Sequence, residues 1–151
     1  VEGITSQQAV DIYSGKLTKW ADLGGSGKIR VVRREDGDSS LKVLRKQFPG
    51  FKDLAITPKS KTALKTPELI SIVSSKKGTI GFGPLDVVID NGLKALKIDG
   101  RSPTDSGYPA IGTMGLIFKE ENKTGTVGAF IDFATSDAAK YAIAGAGGMQ
   151  P

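Results

Sequence analysis

Apolar runs of two different periods alternate along this chain, and that alternation leaves few folds open. Ile29-Arg-Val-Val-Arg33 is a β-branched run of strand length, Gly78-Thr-Ile-Gly-Phe-Gly83 and Leu93 to Ile98 read as further strands, and Leu54-Ala-Ile56 as a short one. Ile111 to Phe118 predicts a long strand buried on both faces. Between these lie helical patterns. Thr5 to Gln8 form a capping-box pattern, and Ala9, Ile12 and Tyr13 share one face before Gly15, which predicts a helix over 6–14. Leu41, Val43, Leu44 and Phe48 make a second helical face that ends at Pro49-Gly50. Thr66-Pro67-Glu68 starts a third helix, with Leu69, Ile70 and Val73 as its buried face, and Leu85 to Ile89 a short helix or turn. Ser136 and Asp137 begin a final helix that passes Tyr141 and Ile143 and stops at Gly145. The order predicts an α/β chain with a mainly parallel or mixed central sheet flanked by helices, a class whose ligands sit at the carboxyl ends of the strands.

Composition narrows the chemistry. The chain contains no cysteine and no histidine, which removes disulfides, thiolate nucleophiles and the commonest general base and metal ligand. Its formal charge of +5 is spread in ones and twos, with Arg33-Arg34 and Lys76-Lys77 the tightest pairs. A nucleic-acid surface shows a denser basic stripe with exposed aromatics, so nucleic acid is not an expected partner. No apolar stretch reaches the ~20 residues needed to span a bilayer. Trp20, between Leu17 and Leu23, reads as a packing residue. No cofactor is expected.

One polar cluster stands out: Arg33-Arg34-Glu35-Asp36-Gly37-Asp38-Ser39-Ser40, lodged between a strand and a helix. Backbone N–H groups at the start of that helix are unpaired donors at the positive end of a dipole, and both favour an anion. Gly37 permits a tight turn before them. Ser39 and Ser40 offer hydroxyls, and Arg34 can hold two oxygens of a tetrahedral anion in its planar fork. Asp36 and Asp38 would repel a dianion unless one accepts a proton from it or turns toward an arginine. Asp38 or Ser39 serves equally well as a plain N-cap, Asp36-Gly37 as an ordinary turn, and Arg33 as the partner of Glu35 or Asp36 in a solvated pair.

Ile12-Tyr-Ser-Gly-Lys-Leu-Thr-Lys-Trp20 with Leu23-Gly-Gly25, and Val31-Val-Arg-Arg-Glu-Asp-Gly37, resemble the "IFSGKITNWxDLGG" signature and the "VVxRxDGSGT" stretch of the phosphate-type solute-binding proteins of ABC transporters. Gly78 to Gly83 resembles the "GAIGY" strand, and Gly107-Tyr-Pro109 the return crossover. Phe130-Ile-Asp-Phe133 with Gly147-Gly-Met-Gln-Pro151 resembles the closing "FLDF…GYVP" pattern. The resemblance implies a type II periplasmic-binding fold, two α/β lobes closing on an oxyanion, an extracytoplasmic location and an ABC-transporter permease as partner. It places the family arginine at Arg34, the aspartate at Asp36 and the glycine at Gly37. Where the family has Ser-Gly-Thr, this chain has Asp38-Ser39-Ser40, so a donor is exchanged for a negative charge at Asp38.

The family's first-lobe segment, roughly seventy to ninety residues that supply half of the anion site, has no counterpart before the 6–14 helix. Residues 1–109 then read as the ligand-binding lobe, and 110–151 as a crossover strand and helices belonging to the other lobe. Such a division is expected to expose apolar surface on 111–118 and 127–143, which a homodimer could cover. The function expected is reversible binding of phosphate or a related oxyanion, without catalysis. A sensor or scaffold of the same fold that has lost its ligand is the alternative. A hydrolase or transferase built on the Asp and Ser residues comes third, since Ser39 has no histidine to activate it and only a lysine could serve as base.

Overall fold

The computed structural model describes residues 1–150, and Pro151, the last residue of the closing motif, lies outside the described residues. The chain divides into two compact units, Val1–Gly112 and Thr113–Pro151.

In the first unit the elements run β1 (Gly3–Ile4), α1 (Ser6–Ser14), β2 (Arg30–Arg34), α2 (Ser39–Gln47), β3 (Lys61–Ala63), α3 (Thr66–Ser75), β4 (Thr79–Ile80), α4 (Leu85–Asp90) and β5 (Lys97–Ile98). The order is the alternation expected. Both termini of α1 follow from the sequence. Thr5 accepts from the Gln8 backbone while the Gln8 side chain accepts from the Thr5 N–H, and Gly15 ends the helix at φ 85°. A side chain there would place its Cβ 2.8 Å from Thr57 Oγ1, so geometry and space both call for glycine.

The ladders are parallel. β2 lies between β3 and β4, with Arg34 opposite Ala63 and Val31 opposite Ile80. β1 and β5 form a separate pair, with Ile4 opposite Ile98. Antiparallel pairing among the described residues is confined to isolated bridges.

Because side chains alternate along a strand, β2 has two apolar faces. Ile29 and Val31 pack against the larger core, which holds Ile4, Ile12, Tyr13, Trp20, Leu44, Phe48, Phe51 and Ile98. Val32, on the other face, joins Ala63 and Leu69, with Ile72 and Val73 of α3 alongside. The sheet is thus a layer between α3 and a core built on α1 and α2. Ile12 and Phe51 are 0% and 1% exposed, and burying each contributes ~1.5–3 kcal/mol. Trp20 is a packing residue as expected, and its indole N–H donates to Gly78 O at 2.9 Å.

Several predicted strands shrink or vanish. Leu54-Ala-Ile56 forms none: Arg45 Nη1 donates to Leu54 O at 2.6 Å and the Thr57 N–H bonds to Tyr13 O at 2.8 Å, so nearby backbone groups are satisfied by other partners. Leu54 and Ile56 still pack on the larger core. The neighbour of β2 is instead Lys61-Thr-Ala63, a polar run without a strand signature. Residues 78–83 and 93–98 pair only over Thr79–Ile80 and Lys97–Ile98.

The second unit contains α5 (Gly125–Ala134) and α6 (Lys140–Gly145), preceded by short 3-10 turns at Glu120–Asn122 and Asp137–Ala139. Gly128, Ile131 and Ala139 are buried. Residues 111–118 take no strand structure: they have no ladder partner among the described residues, and an apolar run without one gains nothing from extending into a sheet. Met114, Leu116, Ile117, Phe118, Val127, Phe130, Phe133 and Tyr141 are exposed. No helix among the described residues is long and apolar enough to cross a membrane.

Candidate anion site at the carboxyl end of the central sheet

Arg34 is the last residue of β2, on the same face as Val32. Its aliphatic stem therefore enters the apolar layer beneath α3, and the residue is 6% exposed. A guanidinium cannot shed its charge, so burial obliges it to find acceptors. Nη1 donates to Thr66 Oγ1 at 2.9 Å and Nη2 to Leu64 O at 3.2 Å. Nη2 also lies 2.8 Å from Asp38 Oδ2, in an ion pair whose side chains are 8% and 9% exposed. Nε is buried with no protein acceptor among the described residues.

Parallel pairing explains this convergence. With Ala63 beside Arg34, the chain leaving β3 starts α3 three residues later, which brings Thr66 to the guanidinium. Asp38, the residue before α2, arrives from the other side. Arg34 thus touches the N-terminal ends of two helices at the carboxyl edge of β2 and β3, the position where sheets of this class bind ligands. The α2 start keeps donors free. Asp38 Oδ1 accepts from the Leu41 N–H at 3.0 Å and the Asp38 N–H bonds to Glu35 O at 3.1 Å, while the Ser39 and Ser40 N–H groups find no protein acceptor among the described residues.

The sequence-predicted residues divide. Arg34 and Asp38 are brought together, and Ser39 and Ser40 open the helix beside them. Asp36 turns away: it pairs with Arg33, and its side chain is 84% exposed. Gly37 is exposed, is not among the glycines with positive φ, and a Cβ there would meet open space, so the turn does not depend on it. Thr66 and the Leu64 carbonyl were not singled out by sequence reasoning. Thr66 reads in sequence only as the start of a helix, and its bond to Arg34 depends on strand pairing across 32 residues.

The opposite edge of the sheet has different electrostatics. A cavity of about 360 Å³ there is lined by Arg30, Lys59, Lys61 and Lys76 together with Gly15 and Ser75. The last two mark the C-terminal ends of α1 and α3, where the helix dipole disfavours an anion. At the Arg34 edge the dipoles and the charge act together. Among the described residues no group of three or more acidic side chains is placed to hold a metal ion.

Residues 1–138 match the family model of the PBP superfamily domain. The phosphate-binding protein PstS of Bacillus subtilis (strain 168) is 26% identical over 144 residues, which cover 91% of this chain and 46% of that protein. A phosphate ABC transporter substrate-binding protein of Clostridium perfringens, solved with bound phosphate, superposes with a TM-score of 0.74 at 29% identity, over 97% of this chain and 62% of the other. The PstS structure from Borrelia burgdorferi shares the fold, with a TM-score of 0.69 at 20% identity over 100% of this chain and 65% of that one. The chain spans about half the length of the curated relative. Fold and family model agree: this chain belongs to the PBP superfamily domain family.

Proposed function

We propose that this chain is part of an extracytoplasmic receptor that binds phosphate or a similar oxyanion reversibly for uptake through an ABC-transporter permease, and that it performs no catalysis. The observation that carries this reading is Arg34, buried at the sheet edge where two helices begin. The guanidinium, the Ser39 and Ser40 N–H groups and the two serine hydroxyls are the donors this reading assigns to the anion, and the start of α2 at Ser39 supports it. Asp36 takes part as proton acceptor only by leaving Arg33. The names of the relatives at 26% and 29% identity support phosphate as the first anion to test.

Residues 1–109 are the ligand-binding lobe in this reading, and 110–151 belong with the other lobe. A break between compact units at Gly112 supports that division. A second copy of the chain is the partner proposed for the apolar residues exposed in the second unit, and sedimentation across a concentration series tests it. The alternative, a scaffold whose site holds no ligand, is favoured by one observation: the Arg34 guanidinium already has a carboxylate, that of Asp38.

Thermal unfolding with millimolar phosphate, sulfate, molybdate or tungstate at constant ionic strength separates the two. An anion bound only to the folded state raises the melting temperature by mass action. The receptor reading expects a selective rise that Arg34→Ala abolishes. No rise with any anion favours the scaffold, or a receptor site that residues outside this chain complete.

A further inference from the structure

Asp38 is placed where an anion would bind. One oxygen lies 2.8 Å from Arg34 Nη2, and the other accepts from the Leu41 N–H at 3.0 Å in the first turn of α2. A single carboxylate therefore engages both sources of positive potential, the guanidinium and the helix start. It is held there by the chain as the N-cap of α2, so its local concentration never falls. Arg34 supplies independent evidence that this position is built for a charged partner, since its Nε is buried with no protein acceptor among the described residues.

On the reading of the site given above, we infer that Asp38 is a tethered competitor of the oxyanion ligand and the residue that sets the affinity of this site. An incoming anion must take Arg34 from a charge-assisted bond and then stay beside the carboxylate it displaced. With both side chains more than nine-tenths buried, that like-charge contact is screened little by salt. The Ser39 and Ser40 N–H groups remain available throughout, so the obstacle is charge rather than a lack of donors.

Two substitutions remove the charge and keep the cap. Asp38→Asn is close in shape, Asp38→Ser supplies a hydroxyl, and both residue types are good N-caps. In phosphate titrations by calorimetry at fixed ionic strength, both variants are expected to bind about tenfold tighter than the natural chain or more. In buffer free of oxyanions their melting temperatures should fall, because Arg34 loses its counter-charge, and phosphate should restore them. Adding Arg34→Ala to Asp38→Ser should erase the gain. If both variants bind phosphate no tighter than the natural chain, the competitor inference is overturned while the receptor reading stands. If phosphate binds none of the three proteins, Asp38 is not what limits binding and the competitor inference falls, together with the reading of this chain as a receptor on its own. Destabilised variants that phosphate does not rescue would make Asp38 a structural partner of Arg34 alone.

Discussion

Arg33 and Arg34 leave one strand on opposite faces, and the two sides of the loop that follows are different environments. On the inner side Arg34 meets Asp38 in a pair whose side chains are 8% and 9% exposed. On the outer side Arg33 meets Asp36 where the carboxylate is 84% exposed. Two residue types, repeated at nearly equal spacing, give one ion pair fixed by desolvation and one that water can replace. The contrast shows that charge pattern alone says little about this loop, and that the face of β2 decides which arginine can serve a ligand.

The largest expected effect breaks the inner pair. Arg34→Ala leaves Asp38 buried without its counter-charge and should cost about 3–5 kcal/mol in urea unfolding. The double variant Arg34→Ala with Asp38→Ala should cost less than the two single changes summed, since neither partner is then stranded. If Arg34→Ala costs no more than a surface change, the inner side has been misjudged.

Burial without a partner should act in the other direction. The Tyr13 hydroxyl is buried with no hydrogen-bond partner among the described residues, beside Phe51 and Phe82, and burial pushes its ionisation upward. Tyr13→Phe removes a polar group that gains nothing, so it should stabilise by about 1 kcal/mol, measured by the same unfolding curves. On the outer side Arg33→Ala should shift stability by less than about 1 kcal/mol, and added salt should shrink even that.

The smallest effect appears only in acid. The Ser6 hydroxyl and then the Ser6 N–H, with a smaller contribution from Arg101, hold the Asp99 carboxyl below the usual carboxylate range against a slight opposing effect of burial. A lowered folded value stabilises above the unfolded value near pH ~4, and the contribution disappears as pH falls through the folded one. Ser6→Ala should therefore flatten the loss of stability below about pH 4 without changing its direction.

Much of the α/β order was legible because it rests on local chemistry. The Thr5–Gln8 capping box, the glycine stop after α1 and the β-branched run of β2 are each decided within a few residues. The misses are non-local. Lys61-Thr-Ala63 becomes a strand because β2 offers it an edge, while the far more apolar 111–118 run pairs with no strand among the described residues. Half of the candidate site was readable for the same reason. Arg34, Asp38, Ser39 and Ser40 lie within one loop and helix start, whereas Thr66 enters only through register. The solvated Arg33–Asp36 pair was one of the alternatives the sequence offered, and strand pairing decided it by setting the face of β2 on which each arginine leaves.

The chain has a single tryptophan, Trp20. Its indole is buried in the larger core and bonded to Gly78, whose φ of 77° puts a hypothetical Cβ 2.5 Å from Lys28 O. Emission excited at the red edge of protein absorbance therefore comes from the Val1–Gly112 unit alone. Any difference between that signal and the far-ultraviolet dichroism of the whole chain would reveal the helices of the second unit melting separately.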